Sequence, residues 1–528
     1  MTRFQQLRLW FGRAPGPARG SAVAAGAIAV ALVAWALVPS SHGHTTVATG
    51  AGGTTAASGS GAVSPGTAPS AAGGTTVTST AGAVSGGAGT TQTGTGGGGG
   101  GATAASSGGG GPAPAGGSGP APPCGNLTAT DQGVTATQIH LGIIIVNIEG
   151  STGNGVFGVP SPDQQQADYD AVIDDINKNG GVACRKIAPT YYQGNPLDQS
   201  GEHAVCLQLV QDKVFAAIDT YGIDTPPSMR DCVPQNKIPL FDSAPYPASE
   251  AKQYAPYLFS LKAIWNIIDS NAVLAAHQLG WFDASFKKVG ILEQDCATEL
   301  NAATEAALAK IGITGSQIDR FDTGCITAPQ PPSEIEQEVL QFKTDGVTHI
   351  IDDDAESNEL ADFSKDAQAQ GYHPKYLVPD AGSVAVLEQP GSEPDPTNFE
   401  GALAITGTAY GAENSPGVDL GPQTSRCNAI MSSHGQPDMF HQGENVPGIL
   451  CDILWMFKEA ADHAPTLTRA ALAQGLNQVG HYDLSFPYGP AEFSNGAITA
   501  GQYWRGVTFS GACGCWKVPD AAFHANLS

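Results

Sequence analysis

The sequence predicts an α/β protein of two doubly wound, Rossmann-like lobes, preceded by one membrane-spanning or signal helix and a disordered linker. Three observations predict it. A strand-helix alternation runs from residue 138 to 241. The same alternation restarts after Trp265 and runs to 378. Before both lies a stretch of about a hundred residues too poor in apolar side chains to pack.

The chain opens with a basic segment, residues 1–21, carrying Arg3, Arg8, Arg13 and Arg19 and no acid. Residues 22–38 follow as an uncharged apolar run. As a helix this run spans about 26 Å, slightly less than a hydrocarbon core of about 30 Å. It reads as a secretory h-region or a signal anchor, with the basic flank cytoplasmic and the rest exported. Thr46-Val47-Ala48 is a poor cleavage site. Residues 39–123 hold Gly, Ser, Thr, Ala and Pro but no Asp, Glu, Lys or Arg. This composition predicts disorder and a tether with a reach near ~50 Å.

Every one of the 49 acidic residues lies beyond position 130, in a chain of net charge −25. So acidic a domain argues against nucleic acid as a partner and against anionic membrane surfaces. The ten cysteines all follow the apolar run, and an even number in an exported chain favours disulfides. A zinc site needs four ligands in a compact set, and only Cys513 and Cys515 are close, with no histidine near them.

In the first lobe, Gln138 to Val146 reads as a strand buried on both faces, because Ile and Val dominate it. Ser161-Pro162 starts a helix with a hydroxyl cap and a first-turn proline. Its apolar face is Tyr169, Val172, Ile173 and Ile176, and Asn179-Gly180-Gly181 ends it. Strands follow at 186–192, 214–218 and 238–241, with helices at 200–211 and 226–235. In the second lobe, helices at 266–279, 297–311, 333–344 and 357–370 alternate with strands at 288–292, 317–321, 347–351 and 376–378. Parallel sheets with right-handed crossovers follow from both patterns. A strand at 402–405, three helices (424–433, 447–463, 468–478) and strands at 491–493 and 503–509 remain. They read as completing the two sheets.

This order resembles the type I periplasmic binding proteins, the solute-binding components of branched-chain amino-acid-type ABC importers with a leucine-binding-protein-like domain. The opening Gly133-Val134-Thr135 turn and its Ile-rich strand are similar to that family's start. Asp174 to Val182 is similar to its "DINAxGGI" segment, and Asp212 to Ile218 to "xDKVFAVIG". Ile238-Pro239-Leu240-Phe241 matches "VPLIS". Tyr376 to Gly382 resembles the cleft segment ending "GPEG", and Gly489 to Phe493 the closing "GPxxF". The resemblance implies three crossovers between the lobes and a ligand cleft between them. It places lobe one at about 133–261 and 402–485, and lobe two at about 262–401 and 486–528.

Ligands of open α/β sheets bind beyond the carboxyl ends of strands. In lobe one this selects Tyr221, Asp224, Thr225, Ser243 and Tyr246; in lobe two it selects Asp295 and Asp354. The resemblance adds Asp380, where amino-acid-binding members carry a carboxylate that pairs with the ligand ammonium. It also adds Trp265 at the first crossover, as an apolar wall. The family's aspartate early after that crossover is replaced by Trp265 or Asn266. The run Asp352-Asp353-Asp354 lacks EF-hand spacing and reads as a solvated strand end. Gly153 to Gly158 fits the dinucleotide fingerprint formally, but the helix is expected to begin only near Pro162, so a flexible cleft-lip loop is expected. No serine elbow, HExxH or Walker motif occurs, so neither cofactor nor metal is expected, and each histidine defaults to a satisfied core role.

The expected function is noncatalytic capture of a small polar solute, an amino acid or related compound, for an ABC permease. The alternative is a sensor reporting occupancy to a signalling partner. Disulfides are expected between Cys206 and Cys232, on successive helices, and Cys296 and Cys325, each after a lobe-two strand. Further bridges are expected between Cys427 and Cys451, Cys124 and Cys184, and Cys513 and Cys515.

Overall fold

The computed structural model describes residues 124–527 except 126, 149, 157–158, 197, 221–227, 326–327, 354–357, 380–386, 389–392, 438–445, 487 and 495. The expected basic segment, anchor helix and linker lie outside the described residues. Among those described, no helix is long and apolar enough to cross a membrane.

Lobe one begins with β1 (Gln138–Val146), then α1 (Gly150–Val156), α2 (Pro162–Lys178), β2 (Lys186–Gly194), α3 (Gln199–Gln211) and β3 (Ala216–Asp219). It continues through α4 (Ser228–Gln235), β4 (Leu240–Asp242), α5 (Ala248–Tyr254) and β5 (Leu258–Ser260). The sheet runs β2-β1-β3-β4-β5 and every pair is parallel. β1 lies inside the sheet, between β2 and β3, and is buried on both faces. Ile139, Leu141 and Ile143 join the core under α2, and Ile144 joins the core under α3 and α4. Ser161 caps α2 by accepting from Gln164 N–H, as its sequence predicts.

Three elements of lobe one were not legible. α5 and β5 have only seven and three residues, too short for a periodic signal. α1 replaces the expected loop over Gly153. Asn147 Oδ1 accepts from Gly150 N–H at its start (2.6 Å), and Asn154 anchors its end.

Lobe two holds α6 (Trp265–Gln278), β6 (Val289–Glu293), α7 (Thr298–Lys310), β7 (Ile318–Asp322) and the ribbon β8 (Gly324–Cys325) with β9 (Ala328–Pro329). Next come α8 (Pro332–Asp345), β10 (His349–Asp353), α9 (Asn358–Ala369), β11 (Lys375–Val378) and β12 (Leu403–Thr406). The chain then returns to lobe one with α10 (Pro422–Ser433), α11 (Val446–Asp462) and α12 (Leu472–Val479). α10 and α11 pack on α2. Phe457 of α11 meets Phe241 of β4 edge-on at 5.5 Å between ring centroids. The remaining strands are β13 (His481–Asp483), β14 (Pro490–Glu492), β15 (Tyr503–Ser510), β16 (Cys515–Lys517) and β17 (His524–Ala525).

Strands β7-β6-β10-β11-β12 are parallel, and β15 then β16 extend this sheet antiparallel. β12 therefore belongs to lobe two, not to the lobe-one segment expected from 402. All four of its residues are buried, as the interior position between β11 and β15 requires. β13 and β14 complete neither sheet; among the described residues they pair with each other alone.

All five expected disulfides are present, with Cα separations from 5.2 Å (Cys513–Cys515) to 6.3 Å (Cys296–Cys325). Among the described histidines, His203, His277, His373, His481 and His524 are exposed, against the expected core role, whereas His349 takes it. It is fully buried, 2.9 Å from Thr348 Oγ1 and 3.0 Å from the Trp281 carbonyl, and burial lowers its pKa.

Candidate ligand cleft

Both parallel sheets release the chain toward the other lobe from their carboxyl ends. β5 leads into residues 261–264 and α6, and β12 leads into residues 407–421. These crossovers pack directly on the third, residues 484–502. Ser260 bridges Thr499, and Thr408 bridges Tyr488. Ser260 N–H donates to Ile498 O (3.1 Å), and Ala500 N–H donates to Ser260 O (2.9 Å). Glycines permit the approach. A Cβ on Gly501 would stand 2.5 Å from Ala263 N, and one on Gly489 2.6 Å from Gly407 O. A cavity of about 30 Å³ lies beside them, lined by Leu261, Ile268, Asn271, Thr406 and Tyr488 among others. It has room for about two waters.

The lobe-one wall is built on polar side chains that sequence reasoning missed. Asn154 donates to Val146 O (2.9 Å) and Pro160 O (2.8 Å) and accepts from Ile148 N–H (2.6 Å). Gln165 donates to the same two carbonyls and accepts from Val146 N–H (2.9 Å). Both side chains are fully buried, so the end of β1 is satisfied without water. A signal for Gln165 existed: it is polar yet lies one helical turn before Tyr169 on the apolar face of α2.

At the end of β3, Asp219 and Thr220 are buried. Thr220 Oγ1 bonds Tyr169 OH, and its carbonyl accepts from Ser243 Oγ. Ser243 is itself buried, with its hydroxyl directed at that carbonyl. Tyr246 is fully buried too. Its hydroxyl donates to Phe259 O at 2.7 Å, and the Arg230 guanidinium lies 5.5 Å from its ring centre. Burial pushes its phenol pKa well up. Tyr246 thus supports the wall from behind. Its carbonyl accepts the N–H of Trp265 at 2.9 Å, so the β4–α5 loop holds the start of α6. The Trp265 side chain is half-buried. Asn266 Oδ1 accepts from Ala248 N–H at 2.8 Å, which ties α6 back to lobe one.

A further pair of hydrogen bonds crosses the lobes. Ser249 Oγ on α5 donates to Glu299 Oε2 on α7 (2.6 Å), and Ser249 N–H donates to Glu299 Oε1 (3.1 Å). Burial works against ionisation of Glu299. The hydrogen bonds from Ser249 and Asn266 outweigh it and hold the carboxyl below the usual range.

The lobe-two wall is acidic. Glu293 ends β6 and pairs with Arg320, which also reaches Glu305 at 3.2 Å; burial raises the Glu293 pKa. Asp295 is exposed, and its N–H donates to Asp322 Oδ1 (3.1 Å). The neighbouring sulfurs of Cys296 and Cys325 are bridged to each other and offer no thiolate to a metal beside Asp295. Asp352 and Asp353 are buried, not the expected solvated strand end, because β10 continues through both. Thr304 Oγ1 donates to Asp353 Oδ1 at 2.9 Å. Tyr221, Asp224, Thr225, Asp354 and Asp380 lie outside the described residues. The structure thus sets Ser243 and Tyr246 of lobe one beside Trp265, the first residue of α6, at the hinge and places Asp295 on lobe two.

Two parallel-sheet lobes joined by three crossovers, with strand carboxyl ends at the junction, define a two-lobed solute-binding protein. A model of the family described as "Periplasmic binding protein" matches residues 154–511, and the chain belongs to that family. No curated protein matches it in sequence. It is similar in fold to an ABC transporter substrate-binding protein from Desulfitobacterium hafniense in complex with Leu. That protein is 16% identical with a TM-score of 0.52, over 72% of this chain and 99% of that one. It is also similar to a fatty acid ABC transporter substrate-binding protein from Thermomonospora curvata (14% identical, TM-score 0.54, 75% and 95% covered). A third is an ABC transporter solute-binding protein from R. palustris in complex with 4-hydroxybenzoate (13% identical, TM-score 0.54, 74% and 98% covered). At such identities the likeness carries the fold alone.

Proposed function

We propose that this chain captures a small polar solute reversibly between its lobes, without catalysis, and delivers it to an ABC permease. The observation that carries this reading is the junction itself: two sheets whose carboxyl ends meet at three closely packed crossovers. Such a junction permits lobe closure about short backbone segments. The solute is cationic or zwitterionic, an amino acid or a related amine. Asp219, Asp242, Glu293, Asp352 and Asp353 end strands at this junction and the exposed Asp295 follows β6, and acids in that number favour a positive group. Asp380 supplies the counter-charge and Trp265 an apolar face. Residues 22–38 hold the domain at the membrane, and residues 39–123 serve as its tether. Five disulfides accord with an oxidising, extracytoplasmic compartment.

A thermal-shift screen of the purified chain against amino acids, amines, amides, short acids and polyols tests the reading. A true solute at 100 times its Kd adds about 2.7 kcal/mol of stability. Stabilisation by carboxylic acids alone, with no response to any amine, would reject the cationic reading.

A further inference from the structure

We propose that the Cys513–Cys515 bridge is a redox-active site that exchanges electrons with an external dithiol while the protein stays folded. This inference is independent of the solute reading. It rests on the short loop that this exposed bridge closes and on a turn that is held without it.

Four bridges join residues 24 to 60 positions apart. Cys206, Cys232, Cys427 and Cys451 are also buried, out of reach of an attacking thiolate. Cys513–Cys515 spans one residue at the tip of the β15–β16 hairpin. Cys513 and Gly514 are exposed and Cys515 is half-buried. Gly514 has φ +64°, so the turn carries no side chain over the bridge.

By linkage, the fold stabilises a bridge by as much as the bridge stabilises the fold. In the chain-entropy relation that mutual term falls with the residues enclosed, so opening a bridge that closes about three residues costs the fold far less than opening one that closes about 25–60. The hairpin also stands without it. Cys513 N–H and Gly514 N–H donate to Ser510 O at 3.2 and 2.9 Å. Thr508, Phe509 and Ser510 pair with Lys517, Trp516 and Cys515. Glu400 Oε2 accepts from Gly511 N–H (2.6 Å), and Glu388 Oε1 accepts from Trp516 N–H (2.7 Å). Opening the bridge therefore removes no contact on which the turn depends.

The chemistry is a two-electron exchange. A thiolate of the partner attacks the exposed Cys513 sulfur, forms a mixed disulfide and expels Cys515 as thiolate. The partner's second thiolate then attacks the partner sulfur of that mixed disulfide and expels Cys513. The partner dithiol is oxidised to a disulfide, and the two cysteines, reduced, take up the two protons. The partner is a protein with two neighbouring thiols, because the second attack has to be intramolecular to release Cys513 quickly.

The full chain, equilibrated with graded dithiothreitol in native buffer and trapped with iodoacetamide, tests this by peptide mapping. Cys513 and Cys515 are expected to label fully at reductant levels that leave the other eight cysteines unlabelled, with circular dichroism unchanged. Labelling only together with the other cysteines, or only as the circular dichroism signal is lost, overturns the proposal. The double variant Cys513→Ser/Cys515→Ser is expected to unfold within a few degrees of the parent. A variant that fails to fold shows instead that the bridge is structural, and overturns the proposal as well.

Discussion

The backbone N–H of Trp265 donates to the carbonyl of Tyr246 over 2.9 Å, joining the first residue of the lobe-two helix α6 to the loop after β4 in lobe one. Because this bond is made by backbone atoms, it survives a change of either side chain. Trp265→Ala is therefore expected to keep the fold and to weaken solute binding through loss of the ring alone, with the pH dependence of binding unchanged. Calorimetry with a solute from the screen measures it; unaltered affinity would place the ring outside the site.

Asp380→Asn keeps the side chain's shape and removes its charge. For a desolvated ion pair the expected cost is about 2–5 kcal/mol of affinity, most of it from the unpaired ligand charge. If calorimetry finds the affinity unchanged, the solute carries no ammonium at that position and the amino-acid reading fails, while the fold stands.

Ser249 and Glu299 join the lobes near the start of α6 with two hydrogen bonds. Ser249→Ala removes the hydroxyl bond and leaves the backbone one. We expect a loss of about 0.5–1.5 kcal/mol of affinity, seen as faster release and a more open mean shape in small-angle scattering. A variant that binds as tightly and scatters identically would show that the contact does not bias closure.

Gly501 sits where the third crossover meets the first. Gly501→Ala puts a methyl about 2.5 Å from Ala263 N, which must move the backbone. Overpacking of this kind costs about 1–3 kcal/mol. Urea unfolding of the unliganded protein reads the cost directly. A midpoint equal to the parent's would mean that the crossovers separate freely.

Burial pushes the Glu388 carboxyl up to about 7, against 4.5 for the unperturbed group. The folded protein then holds a proton that the unfolded chain releases, so stability falls as pH rises from about 4.5 to about 7 and levels off above. Glu388→Gln keeps the acceptor for Trp516 N–H and removes this fall. Its urea midpoint is expected to match the parent near pH 4.5 and to exceed it at pH 8 by on the order of 2–3 kcal/mol in stability. Equal midpoints at both pH values would reject the assignment.

Much of the architecture was legible because its signals are local. Ile-rich β1 reads as a strand buried on both faces from its own residues, and Ser161-Pro162 and Asn179-Gly180 mark the ends of α2 within one turn each. The paired cysteines could be matched because successive helices beside adjacent strands bring them near each other. The elements lost to sequence reasoning are short ones. α5 and β5 complete neither a helical nor a strand period that could be recognised.

By itself, then, the sequence determined two α/β lobes, their bridges and the acidic character of the domain, since periodicity, cap chemistry and charge are properties of neighbouring residues. Only the tertiary structure decided that β12 joins lobe two, that Tyr246 stands behind the wall with its hydroxyl on Phe259, and that Asp352 and Asp353 are buried. It also decided which buried amides, Asn154 and Gln165, hold the end of β1. The reason is common to all of them. Burial and hydrogen-bond partners depend on which distant segments share a surface, and a polar residue looks the same in sequence whether water or a backbone carbonyl satisfies it.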